Sequence, residues 1–565
     1  MSNQNQNQNQ NHNNSPPASQ SAHLFILIHG LWGSPVHMIT IEKLIKDLLP
    51  TRSAEKIVTL RPQSFRFWKT YDGMHLNSRK IITEILYEIE TLKERDNLNV
   101  TKVSFVGYSL GGLLARYVIG LLNEMQFFDT IKPIFFSTFA TPHVGIEFFA
   151  DNFFDSTANH VGPYLFGLAG KELFIADSDK LLLEMADPKK VYFQGLQKFE
   201  KHTLFANVKN DRTVAFFTSY ITEYSPFDEW KGIKIKYIKD LPQTRVGNVY
   251  VKPKFVDLTR SRLLDADDLK QFKGNIQEET SMFRTNKILK VLIIILIAIF
   301  LIPIWIPLVL CTSLYVSIYS GFKVRVVKFP QVEQHWLKVK DSVYGILPVD
   351  PQDAKIGEEH RKLRRSLSRH ESFKGDTSQL TRNAMENIMY AEERFTGKTP
   401  PVGDEEDDEK EEPIPTDSVV DDANDLNLDD ESDNEKKEIH NQAQNDANEL
   451  VSIFSTKNSN KKLISVDVKT NDQITKSNLS ALKIKDYSHF PLFTEKTKLK
   501  LDSNKRFIIE QLNSLDWVKI PIYLDCWNAH DNIVSRKGPR TSSKGTATIA
   551  LWCSILRNHL EENEN

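Results

Sequence analysis

Ser109 sits in the run Gly107-Tyr108-Ser109-Leu110-Gly111, with Gly112 following. The apolar stretch KVSFVGY leads into it and LLARYVIGLLNEM leads away. A strand that turns sharply into a helix lifts the side chain at the turn clear of the sheet. Only small residues two positions to either side let the chain close that tightly. A serine hydroxyl held there can attack a carbonyl if a base takes its proton and a carboxylate orients the base. Asp211 follows the strand-like HTLFANV, so a short loop would carry its carboxylate toward an imidazole. Asp177, Asp179 and Asp187 lie in a segment without a clear strand and are weaker candidates. His530 follows the strand-like WVKIPIYL and is the expected base. His559 lies within the last helical pattern and reads as a surface residue, while Asp531 beside His530 reads as turn chemistry or local solvation. Cys526 is a rival nucleophile by type, but no tight turn surrounds it.

Such an attack creates an oxyanion that needs two N–H donors. His29-Gly30-Leu31-Trp32-Gly33 follows the apolar run HLFILI and can supply one. Leu31 is the expected donor, paired with the N–H of Leu110 beside the nucleophile. His29 precedes the nucleophile, whereas the base comes last in this arrangement, so it reads as a structural histidine beneath the loop.

These residues need a rigid frame. HLFILIHG, KIVTLRP, KVSFVGYS, IKPIFFSTFATP, KHTLFANV and WVKIPIYL read as buried strands. Between them lie helical patterns from about residue 34 to 49, from 77 to 95 and behind Ser109, with KRFIIEQLNSL and TATIALWCSILRNHLEE near the C-terminal end. Strands alternating with helices predict an α/β fold: a mostly parallel sheet with helices on both faces. Residues 144–200 are rich in Phe and Leu and read as a helical lid or as ordinary packing around the sheet.

Lys plus Arg number 72 and Asp plus Glu 74, so no basic surplus supports nucleic-acid binding. The 3 cysteines form no CxxC pair, which argues against a disulfide or zinc framework and fits a reducing compartment. Residues 1–21 form an Asn/Gln-rich tail expected to be disordered, and 22–260 carry the first part of the catalytic domain. Residues 355–460 pass from basic to strongly acidic and are expected to be a disordered insertion, in which Ser366 and Ser368 follow a basic cluster. The domain is expected to close over 482–562.

One block does not fit a soluble enzyme. Residues 291–322 contain no charge. As one straight helix they would span about 48 Å, well beyond a hydrocarbon core of roughly 30 Å. Pro303 and Pro307 are expected to split the block into two short arms. Basic residues flank both ends, so 284–328 reads as a hairpin that enters and leaves a membrane on the cytosolic side. Its place between Asp211 and His530 requires this, because an odd number of crossings would separate acid from base.

FILIHGLWGSPVHM, VSFVGYSLGGLLARYVIG, FSTFATPHVGI, ANVKNDRTVAFFTSYI and LNSLDWVKIPIY with AHDNIVSR together resemble the fungal serine esterases with an α/β-hydrolase lipase domain, over about residues 21–256 and 485–560. Within that family the chain is most similar to the lipid-droplet phospholipase branch. The resemblance implies an α/β-hydrolase with Ser109 as nucleophile, Asp211 as acid and His530 as base. It implies hydrolysis of glycerophospholipid acyl esters, with no metal or organic cofactor. The expected location is the lipid-droplet monolayer with the catalytic domain facing the cytosol, the endoplasmic reticulum membrane being a second. A related branch acts on monoacylglycerols, so a neutral-lipid substrate stays open, as does a non-catalytic scaffold that recruits partners through the acidic insertion.

Overall fold

The computed structural model describes residues 20–50, 55–149, 153–228, 232–239, 241–247, 249–264, 302–326, 329–345, 464–466 and 490–562. Six strands form the central sheet: β1 (Gln20–Ile28), β2 (Glu55–Leu60), β3 (Leu98–Tyr108), β4 (Lys132–Phe139), β5 (Lys201–Asn207) and β6 (Trp517–Ile522). Their order is β6-β5-β4-β3-β1-β2, and every pairing is parallel. Strand β6 joins across nearly the whole chain, with Trp517 beside His202 and Ile522 beside Asn207.

Alternation along the strands divides the core. In β1, Leu24, Ile26 and Ile28 pack on one face with helix Gly73–Asp96 and helix Leu110–Glu124. Phe25 and Leu27 pack on the other with helix Ile39–Leu48 and helix Ser543–Glu562. A period of two puts successive side chains on opposite faces, so a strand apolar throughout must be covered on both. In β6 the pattern breaks at Lys519, whose buried ammonium donates to the Ile221 carbonyl at 3.1 Å and to Asn513 Oδ1 at 2.6 Å. The sheet begins at Gln20, inside the expected tail; the rest of that tail lies outside the described residues.

Residues 153–197 contain four helices, Phe153–Leu165, Gly167–Leu173, Leu181–Glu184 and Val191–Gln197. The last is frame, because it packs so closely on the helix behind Ser109 that a Cβ added at Gly120 would lie 2.0 Å from the Tyr192 ring. Among the described residues, no helix is long and apolar enough to cross a membrane. Of the expected hairpin 284–328, residues 302–326 form one helix, and 284–301 and 327–328 lie outside the described residues, as does the expected insertion 355–460. The expected break at the prolines is corrected here. The helix runs without a break through Pro303 and Pro307 to Val326.

Helix Ile302–Val326 turns a polar stripe toward the protein. Ser317 Oγ accepts the Gly167 N–H at 2.9 Å, Ser320 Oγ donates to Asp72 Oδ1 at 2.9 Å, and Lys323 Nζ donates to Asp72 Oδ2 at 2.6 Å. Ser313 is buried in the same stripe. Leu314, Tyr315, Ile318, Tyr319, Phe322 and Val326 face outward, Tyr315 being 69% and Phe322 65% exposed. A surface helix ordinarily does the reverse, with its apolar stripe inward.

Glu172 joins this region to the frame. Its carboxylate accepts the Met74 N–H at 2.8 and 3.1 Å, satisfying a donor in the first turn of helix Gly73–Asp96. Burial pushes this carboxyl up to about 8, despite the hydrogen bond from Met74. A carboxyl raised on folding contributes stability that is complete below its unfolded value near 4.5 and lost as the pH rises through about 8. Glu172→Gln keeps an oxygen for Met74 and removes this titration. Thermal melts should show the variant above wild type by at least about 3 °C at pH 9, with no such gain at pH 5. Parallel melting curves across that range would refute the assignment.

Candidate active site

The C-terminal ends of β3, β5 and β6 bring three distant side chains together. His530 lies in the short helix Ala529–Asn532, directly beyond β6. Ser109 Oγ lies 3.0 Å from His530 Nε2, and His530 Nδ1 lies 3.0 Å from Asp211 Oδ2. An ionised Asp211 requires the proton on Nδ1, which leaves Nε2 to accept the serine proton. The loops are also joined through the backbone, since the Ala529 N–H donates to the Asn210 carbonyl at 3.1 Å.

Ser109 has φ 55° and ψ −129°, a conformation L-residues rarely adopt, between the end of β3 and the first turn of helix Leu110–Glu124. Such strain costs of order 1–3 kcal/mol and persists only where the surroundings enforce it. Here the Ser109 N–H donates to the Phe139 carbonyl at 2.9 Å, and Thr141 Oγ1 donates to the Ser109 carbonyl at 3.0 Å. The glycines are needed for close approach. A Cβ at Gly111 would lie 2.1 Å from the Ile28 carbonyl oxygen, and one at Gly107 2.3 Å from Gly112 Cα. Gly30 abuts the nucleophile, where a Cβ would lie 2.6 Å from Ser109 Cβ.

Asp211 has a side chain only 3% exposed. Burial alone would raise its carboxyl, but the charge and hydrogen bond of His530, the Val214 N–H at 2.8 Å and Asn207 Nδ2 at 2.8 Å hold it below the usual carboxylate value. It therefore stays ionised throughout the neutral range. Asn207, at the end of β5, was not singled out from sequence; a lone polar residue closing an apolar strand was the available signal.

Leu31 follows Gly30, and Leu110 opens the helix behind Ser109. Among the described residues, neither N–H is taken by another acceptor. Leu110 also lies at the positive end of a helix dipole. Together they can receive an oxyanion above Ser109.

The other candidates lie elsewhere. His29 is buried beneath the loop, stacked on Phe65 at 4.1 Å, and burial lowers its pKa to about 4. His559 Nε2 pairs with Glu200 at 2.9 Å. Asp177 accepts the Leu181 N–H, Asp187 the Lys189 N–H, and Asp179 the Ser178 hydroxyl. The reading of Asp531 as local solvation is corrected: it is buried, pairs with Arg536 and accepts the Tyr108 hydroxyl at 3.2 Å. Tyr108 also lies against the His530 ring, with centroids 5.0 Å apart. The turn that carries the base is thus tied to the residue before the nucleophile.

Residues 18–221 match the family model described as "Putative serine esterase". Over this segment the chain is similar to that family. The match contains Ser109 and Asp211; His530 lies beyond it and is supplied by the fold. Two curated relatives, each named a "Putative lipase", are 30% identical over 217 residues (Schizosaccharomyces pombe) and 27% identical over 212 residues (Saccharomyces cerevisiae). Each alignment covers 36% of this chain, and the chain spans 26% and 30% of those proteins. Among solved structures, carboxyl esterase 2 from Tuber melanosporum is similar at 20% identity with a TM-score of 0.21, over 33% of this chain and 58% of its own.

Asp211→Asn would leave the site's shape intact but favour the wrong imidazole tautomer. It should lower kcat for ester hydrolysis by roughly 10⁴, while His559→Ala should stay within about twofold of wild type. Steady-state kinetics on a soluble ester check both, and the reverse ranking would remove Asp211 and His530 from the site.

Proposed function

We propose that the chain is a serine-dependent lipid acyl-ester hydrolase that acts on glycerophospholipids at a lipid surface. The carrying observation is the line from Ser109 Oγ through His530 to Asp211, closed by hydrogen bonds of 3.0 Å. Ser109 attacks the ester carbonyl as its proton passes to His530 Nε2. The tetrahedral oxyanion points to the N–H groups of Leu31 and Leu110. His530 then protonates the departing alcohol oxygen, leaving an acyl-serine and a lysophospholipid. Water, deprotonated by His530, releases the fatty acid and restores Ser109. The serine esterase match over 18–221 and the names of the relatives support ester hydrolysis on lipids. The phospholipid preference rests on the sequence resemblance.

The outward apolar face of helix Ile302–Val326 supports the lipid surface. Six large apolar side chains stand in water there while serines face the protein. Lys323 and Arg325 in its last turn suit an anionic headgroup region. A lipid-droplet monolayer, with the catalytic domain on the cytosolic side, is the location this reading favours.

Ser109→Ala should abolish ester hydrolysis while the protein still folds. Purified enzyme should cleave phosphatidylcholine in preference to monoacylglycerol. The opposite preference would make it a neutral-lipid lipase, and full activity of the alanine variant would end the serine mechanism. Replacing Tyr315, Ile318, Tyr319 and Phe322 together by serine should release the protein from floated lipid emulsions with hydrolysis of a soluble ester preserved; unchanged flotation would move the anchor elsewhere.

A further inference from the structure

The loop that carries Leu31 is held on both sides. Before it, Gly30 abuts Ser109. After it, Trp32 adopts φ 52° and is fastened twice. Its backbone N–H donates to Thr70 Oγ1 at 3.2 Å, and its indole Nε1–H donates to the Tyr71 hydroxyl at 2.7 Å. The Tyr71 hydroxyl lies 3.1 Å from Ser313 Oγ, and the Ser313 hydroxyl donates to the Leu165 carbonyl. These bonds can run in one direction only. An indole has no acceptor, so Tyr71 receives from Trp32. Ser313 spends its single proton on Leu165, so Tyr71 must donate to Ser313. A head-to-tail chain thus links the turn after Leu31 to helix Ile302–Val326.

We infer that Tyr71 is a positioning residue for the oxyanion donor, and that helix Ile302–Val326, through Ser313, holds it in place. Tyr71 is 1% exposed, so its hydroxyl has no water to turn to when either partner is lost. Trp32 also meets the Tyr71 ring edge-on, with centroids 5.5 Å apart, so the indole position follows the tyrosine. An N–H a few tenths of an ångström out of place binds the ground-state carbonyl almost as before. It stabilises the tetrahedral state less, because that contact tightens only there. The outward-facing helix is then part of the active-site frame as well as a candidate anchor.

This inference rests on the ester-hydrolase reading, and a soluble short-chain ester separates the two. Wild type with no activity, and no labelling of Ser109 by a fluorophosphonate, would sink that reading itself. With wild type active, Tyr71→Phe and Ser313→Ala should each lower kcat about tenfold and leave KM within about twofold. Each should weaken a trifluoromethyl ketone inhibitor, which mimics the tetrahedral state, by the same factor as kcat/KM. The double variant should be no worse than either single one, because both cut one chain. Ser313→Thr, which keeps the hydroxyl, should restore the rate. Should Tyr71→Phe fail to fold, the Ser313 pair decides. Rates within twofold of wild type, losses confined to KM, or losses that simply add would overturn the inference.

Discussion

The two hydrogen bonds of the His530 imidazole are the constraint on which the whole chain turns. They join a serine and an aspartate from the first 211 residues to a histidine 319 positions after that aspartate. Everything between has to leave the sheet and return to it so that β6 can lie beside β5 in register. The uncharged block at 291–322 falls inside that stretch of sequence.

Rigidity at the site comes from several small enforcements acting together. Ser109 is held in a costly backbone conformation by the Phe139 carbonyl and Thr141. Gly30 leaves no space between the two loops that must face the reacting carbonyl. Asp211 carries its charge out of water because four donors on three elements replace the solvent. Asp531, Arg536 and Tyr108 secure the turn that carries the base. Dipoles that are already aligned need not reorganise when the oxyanion forms.

The strands and the tight turn at Ser109 were legible because their signals are local: apolar runs of strand length, and glycines at fixed offsets around a serine. Asp211 and His530 were legible through chain order, each just beyond a strand that ends at the same edge of the sheet. The residues that hold them were not. Tyr71 and Asp72 lie in FWKTYDGM, which has neither period nor motif, and their partners on helix Ile302–Val326 are more than 240 positions away. The uncharged block showed that it was greasy but hid which side faced the protein. Ser313, Ser317 and Ser320, spaced as one face of a helix, were the only mark of that side. The expected break at Pro303 and Pro307 did not appear, because the helix runs through both to Val326.

Asp72 shows how firmly that helix is seated. It is 2% exposed on its side chain and meets Lys80 at 3.0 Å and Lys323 at 2.6 Å, with Ser320 on its second oxygen. One buried carboxylate thus offsets two cations from different helices. If the helix lifted at its C-terminal end, it would take away a charge and a hydroxyl at once and leave the carboxylate with Lys80 alone. Breaking one side of a buried ion pair is costly, because the charge left behind is uncompensated. The seat of this helix is thus fixed by one buried charge and its three donors.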